Sequence, residues 1–212
     1  MKRIVLLCLL PLLATAGPAY GQALAFGVRG GANFANANVE GSLFTEDPGN
    51  LTAYHFGLLG RVDISRYFAL QTEVWYSRKG FAEGNGDVAL ELNYFEIPVL
   101  AVVKYPAKIS PHLYFGPVLG LESGCRVSTA DQEEVDCEEA REGAPRTKGA
   151  DSGLIFGAGV TLAAGPGSLL LDVMYNLGIT DLSELSEEVD SITTRTWYLS
   201  AGYALPIGAT SR

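Results

Sequence analysis

The seven residues LLLDVMY, Leu169–Tyr175, set one carboxylate inside an apolar run. In a helical membrane span Asp172 would be costly, and in a soluble core it would need a partner. A β-strand offers a third setting, because successive side chains point to opposite faces. Leu169, Leu171, Val173 and Tyr175 then share an apolar face, and Asp172 lies with Asn176 on the other.

The same period of two recurs along the chain. Phe26, Val28, Ala32 and Phe34 oppose Arg29, Gly31 and Asn33; Phe56, Leu58 and Val62 oppose His55, Arg61 and Asp63. Leu70, Thr72, Val74 and Tyr76 oppose Gln71 and Glu73, and Phe95, Ile97 and Val99 oppose Glu96, Pro98 and Lys104. Leu113, Phe115 and Leu119 oppose Tyr114, Gly116 and Glu122; Leu154 and Phe156 oppose Gly157, Gly159 and Thr161; Trp197 and Leu199 oppose Ser200 and Gly202. These runs predict about eight strands of roughly 10–14 residues, where about 9–11 cross a bilayer at a tilt and soluble strands average about 5–6.

The connections alternate strictly in length. SRY (65–67), PAKIS (106–110) and AGPGS (164–168) are short, whereas the segments around residues 35–50, 82–88, 123–150 and 178–194 are longer and polar. Short periplasmic turns, long extracellular loops and an even strand number are the marks of outer-membrane barrels. In lipid every backbone polar group must be paired, so such a sheet has to close. The predicted fold is all-β: an eight-stranded, antiparallel, up-and-down transmembrane β-barrel in the bacterial outer membrane.

An eight-stranded barrel has an interior that side chains fill. Asp172 therefore points inward, with Arg29, Arg61, Glu73 and Glu96 from other strands, as a mixed-charge polar network at mid-height. Its expected role is packing, with an ion or proton path as the alternative. Inward Gly57, Gly116, Gly157 and Gly159 make room for larger neighbours. Inward Leu59, Leu100, Val102, Val118 and Ile155 argue against a wide pore. Tyr54, Tyr76, Tyr94 and Trp197 are expected to form the outer aromatic girdle, and Phe26, Phe68, Tyr105 and Tyr203 the inner one.

The strand order resembles the PorT-type outer-membrane β-barrel family, common in Bacteroidetes-like bacteria. The resemblance rests on FGVRGGANF, ALQTEVWYSRKGF, LNYFEIPVLAVVKY, LYFGPVLGL, GLIFGAGV and LLLDVMYNLGITDL, with YFEIP (Tyr94–Pro98) and GAGV the most telling. It covers nearly the whole mature chain and implies the barrel fold, with no shared reaction attached. SAGYALPI (Ser200–Ile207) looks like the signal read by the barrel-assembly machinery, through Ser200, Gly202, Leu205 and Ile207, but GATSR follows where an aromatic end is usual.

At the amino end, Lys2 and Arg3 precede a short apolar run, Ile4–Leu13, and small residues follow. This reads as a secretory signal peptide over 1–21, cleaved after Ala16 or Gly21, ahead of a barrel domain over 22–212; a retained anchor is the alternative. Cys8 leaves with the signal. Cys125 and Cys137 remain in the longest loop and point to a disulfide in an oxidising compartment, with two free thiols as the alternative. Asp131, Glu133, Glu134, Asp136, Glu138 and Glu139 make that loop acidic; without EF-hand spacing it reads as solvated before it reads as a cation site.

The formal charge of −9 argues against nucleic acid as a partner. The expected partners are outer-membrane lipid, lipopolysaccharide and the assembly machinery, with no extracellular partner specified. No cofactor or metal is expected, and GAGVTL (Gly157–Leu162) lacks the third glycine of a dinucleotide loop. The chain has two histidines: His55 is placed near the outer end and His112 near the periplasmic end, neither with an evident catalytic partner in sequence. The expected function is non-enzymatic, a structural or surface-interaction barrel. A narrow passive pore is the alternative, a barrel-borne hydrolase a further one, and a soluble lipocalin-like barrel a different class.

Overall fold

The computed structural model describes residues 23–41, 49–83, 88–129, 132–136, 150–180 and 189–207. The expected signal peptide, Cys137, Asp131, Glu138 and Glu139 lie outside them. The strands are β1 (Ala23–Gly41), β2 (Gly49–Asp63), β3 (Phe68–Glu83), β4 (Val88–Lys104), β5 (Ile109–Thr129), β6 (Gln132–Asp136), β7 (Ala150–Ala164), β8 (Gly167–Gly178) and β9 (Val189–Ile207).

Each barrel strand pairs antiparallel with its neighbour, from β1 through β5, then β7, β8 and β9. The circle closes where β9 returns to β1, with Arg29 opposite Gly202 and Gly31 opposite Ser200. The short β6 stands outside this circle and pairs with the far end of β5, Arg126 opposite Asp136. The fold is therefore a closed eight-stranded antiparallel barrel with one appended hairpin strand, as the alternation and turn lengths predict.

Adjacent leucines show how the period of two sorts side chains. Leu58 is 64% exposed on the outer surface, and Leu59 is 1% exposed in the lumen. Phe26, Val28, Phe56, Leu113, Phe115, Leu171, Val173 and Leu199 all face outward. A soluble barrel would reverse these faces, because burial of apolar area drives folding in water.

The turns at the periplasmic end are tight and self-bonded. The Ser65 hydroxyl accepts hydrogen bonds from the Tyr67 and Phe68 amides (3.2 and 3.1 Å). Gly165 takes a left-handed φ of 60° in the β7–β8 turn, a conformation that costs a residue with a Cβ. The Tyr203 hydroxyl donates to the Ala164 carbonyl of that turn (2.8 Å).

Two expectations are corrected. The strands run further outward than the apolar pattern does: β5 has 21 residues and β1 and β9 have 19 each. At about 3.4 Å per residue, with a tilt near 40°, β5 rises roughly 50 Å against an apolar band of about 25 Å. The segments read as loops after the first, third, fifth and seventh barrel strands thus begin or end as paired sheet. Beyond the bilayer the outer face need not be apolar, so the alternation fades while backbone pairing continues.

The second correction is Tyr94, which is 1% exposed and faces the lumen instead of joining the outer girdle. It has the same strand parity as Glu96. Leu92 and Tyr94 share that inward face with Glu96, whereas Asn93 lies on the opposite face, across from Arg78, and accepts from the outward Tyr76 hydroxyl at 2.9 Å. Tyr54 and Trp197 do face outward, as do Phe26, Phe68 and Tyr105.

Candidate functional site in the barrel lumen

The candidate site is the filled interior. Inward positions on β1, β2, β3, β5 and β8 bring Arg29, Arg61, Gln71, Glu73, Tyr114 and Asp172 together near the periplasmic half. Arg29 Nη2 donates to Asp172 Oδ2 at 2.8 Å, and its Nη1 lies 3.4 Å from Glu73 Oε1. Both ion pairs have side chains with no solvent exposure. Arg61 joins indirectly: its Nε donates to Gln71 Oε1 (2.8 Å), and Gln71 Nε2 donates to Glu73 Oε1 (2.5 Å). Trp75 Nε1 donates to Glu73 Oε2 (2.5 Å).

His112 completes this tier. Because a carboxylate only accepts, the contact of 2.6 Å with Asp172 Oδ1 places the proton on His112 Nε2. His112 Nδ1 then accepts from the Thr161 hydroxyl at 3.2 Å. Gly159 makes the room: a Cβ there would lie 2.8 Å from His112 Nε2 and closer still to the Asp172 carboxylate. Arg29 lies between the two carboxylates, Asp172 and Glu73, and Arg61 reaches Glu73 only through Gln71. The pairing of Arg29 with both carboxylates matters because an unpaired buried charge costs several kcal/mol.

Glu96 is not part of that cluster. It belongs to a second tier toward the extracellular end, where Lys79 Nζ donates to Glu96 Oε1 (2.5 Å) and the Tyr198 hydroxyl donates to Glu96 Oε2 (3.1 Å). Lys79 was missed from the sequence. The signal was available: Gln71, Glu73, Trp75, Ser77 and Lys79 have one parity on β3, but the apolar alternation that marks the strand stops at Tyr76.

Between the tiers sits a third array. Asn33 Nδ2 donates to the carbonyls of Tyr54 (3.1 Å) and Arg78 (2.9 Å) and to Ser77 Oγ (3.1 Å). Its Oδ1 therefore accepts from His55 Nδ1–H (2.5 Å), and His55 Nε2 accepts from the Ser200 hydroxyl (2.9 Å). Both histidines thus have hydroxyl partners that no sequence spacing announces. They are also not separated by most of the membrane. His55 bonds Ser200, Ser200 is the cross-strand partner of Asp172, and Asp172 bonds His112. Strand tilt and stagger in a closed barrel bring together residues at unequal distances along their strands.

Cys125 is disulfide-bonded. The pairing of Arg126 with Asp136 brings the two arms of that hairpin together beside it; Cys137 lies outside the described residues.

An apolar band facing out, an ion-paired and hydrogen-bonded polar filling inside, and eight strands closed on themselves define a transmembrane β-barrel. Residues 17–184 match the family model of the outer membrane protein beta-barrel domain. The chain belongs to that family, and the protein is a bacterial outer-membrane barrel lying among membrane lipids. Among solved structures it is similar to Neisserial surface protein A, with 20% identity, covering 85% of this chain and 97% of that one, at a TM-score of 0.47. The outer membrane enzyme PagL follows with 16% identity, coverage of 85% and 99%, and a TM-score of 0.46. The attachment invasion locus protein of Yersinia pestis has 17% identity, coverage of 86% and 99%, and a TM-score of 0.45. No curated protein matches the chain.

Proposed function

We propose that this chain is a non-enzymatic barrel of the PorT-type branch with a structural or surface-interaction role. The observation that supports it most is the filling of the lumen. Arg29, Glu73, Asp172 and His112 cross the interior in one tier, Lys79, Glu96 and Tyr198 in another, and Trp75, Leu100, Ile155 and Met174 are buried with 0% exposure. What then remains for a partner is the extracellular sheet that rises beyond the bilayer. Biogenesis through the barrel-assembly machinery, reading the last strand, goes with this proposal.

The runner-up, a narrow passive pore, needs a solvated path through side chains that are packed and ion-paired. Single-channel recording in planar bilayers tests the point. The sealed barrel gives no steady conductance, and a reproducible open level in the wild-type protein overturns the reading.

A hydrolase reading has one observation in its favour, the Ser200–His55–Asn33 array, whose proton order is that of a nucleophile, a base and an orienting group. Against it, Ser200 is 4% exposed and His55 1%, and a substrate carbonyl must approach the nucleophile to about 3–3.5 Å. Covalent labelling of Ser200 by a fluorophosphonate would reverse this judgement.

A further inference from the structure

We propose that the periplasmic mouth of the barrel binds a small zwitterion, an oxyanion carrying a primary ammonium, of the ethanolamine-phosphate class. A cavity of about 220 Å³ opens there, and Arg61, Asp63, Lys104, Ser110, Thr161 and Ser168 supply its polar lining. It sits beside the outward Phe26, Phe68 and Tyr105, at the height where the barrel surface passes from hydrocarbon to headgroups.

The lining divides into a donor side and an acceptor side. Arg61 is 9% exposed and has no carboxylate within ion-pair distance among the described residues. Its Nε is used by Gln71 and its Nη2 by the Tyr114 hydroxyl, which leaves Nη1 without an acceptor among the described residues. Lys104 is tied to Asp63 Oδ2 at 2.6 Å, so it adds little net charge. Arg61 is therefore a buried, preformed guanidinium facing the cavity, the group that best matches a phosphate or carboxylate.

The other polar groups want donors. Asp63 Oδ1 is buried and accepts no hydrogen bond. The Thr161 proton goes to His112 Nδ1, and the Ser110 proton goes to the Tyr105 carbonyl at 2.7 Å. Both hydroxyl oxygens thus present lone pairs. A simple anion answers Arg61 and leaves Asp63 unsatisfied; a simple cation does the reverse. A molecule with both ends answers all of them, and Leu24, Leu170 and Pro206 give its short carbon link an apolar wall. At about 30 Å³ per water, the cavity has ample room for such a group. It could enter as the headgroup of a neighbouring lipid or as a free solute.

The test uses the full mature barrel folded in a non-ionic sugar detergent. Isothermal titration with O-phosphoethanolamine, inorganic phosphate and ethanolamine is run beside native mass spectrometry from discs of phosphatidylethanolamine or phosphatidylcholine. Binding of free phosphoethanolamine at least about tenfold tighter than either fragment, weakened about tenfold or more by R61Q, supports a solute ligand; tenfold is the size of one charge-assisted hydrogen bond. Selective retention of phosphatidylethanolamine, lost in R61Q, with no binding of the free compound, supports a lipid headgroup. Equal retention of the two lipids with no titration signal, or binding that R61Q leaves unchanged, overturns the proposal. A heat-dependent gel shift checks that R61Q folds. Should it not fold, S168D, at a half-buried rim position, sets a negative charge against the oxyanion and is expected to weaken binding several-fold.

Discussion

Replacing Asp172 with alanine tests the central claim about the lumen most directly. The carboxylate accepts two charge-assisted hydrogen bonds, from Arg29 Nη2 at 2.8 Å and His112 Nε2 at 2.6 Å. Bonds of this kind contribute about 1.5–3 kcal/mol each, so their loss comes to roughly 3–6 kcal/mol. An independent route agrees: breaking a buried ion pair by deleting one partner costs about 3–5 kcal/mol, because the other charge stays buried. Of its two carboxylates Arg29 would keep Glu73, at 3.4 Å, beside the neutral Tyr114 hydroxyl at 3.2 Å. D172N preserves the shape and one acceptor, so it is expected to lose about half as much. Replacing the pair together, R29M/D172L, removes the charge stranded on Arg29 but also takes the ion partner from buried Glu73, so it is expected to recover only part of the loss. Reversible urea unfolding in lipid vesicles, followed by tryptophan fluorescence and the heat-dependent gel shift, measures all three. A D172A barrel within 1 kcal/mol of wild type, the scale of an exposed pair, would refute the buried network.

Further outcomes follow from other contacts. G159A is expected to destabilise by about 1–3 kcal/mol, since its methyl group overlaps the Asp172–His112 contact; a neutral result would show that this contact has slack. G165A meets no crowding, with Tyr203 Oη 3.9 Å away, but adopts φ +60°, so the same unfolding assay should show only about 1–2 kcal/mol from left-handed backbone strain. K79M leaves Glu96 buried and is expected to cost about 3–5 kcal/mol, whereas K79M/E96L is expected to return near wild type; equal losses in the two would argue against a direct pair. Reduction of the Cys125 disulfide should leave the heat-dependent shift intact and raise protease cleavage beyond β5, because Cys125 lies past the last β5–β7 pair, Leu121 with Ala150. Loss of the shift on reduction would mean that the loop holds the barrel closed.

The inward set was readable from LLLDVMY outward because a strand has only two faces. Once Leu171 and Val173 face lipid, Asp172 has one place to go, and the same holds for Arg29, Arg61, Glu73 and Glu96. Tyr94 shows how residue type can mislead: its parity with Glu96 placed it inside, but its aromatic character suggested a girdle. Lys79 shows the limit of the rule, since it lies past the point where lipid imposes alternation on the outer face. The split of the five expected network residues into two tiers was not legible at all.

The sequence by itself determined the period of two, the turn lengths and hence the closed barrel with its apolar band outside, because lipid and unpaired backbone groups admit few alternatives. Which inward groups touch was decided only by closure. Tilt and stagger set Asp172 of β8 against Arg29 of β1 and His112 of β5, set His55 between Asn33 and Ser200, and left Arg61 facing the periplasmic cavity. Parity tells a residue which side it faces; the shear of the closed sheet tells it whom it meets.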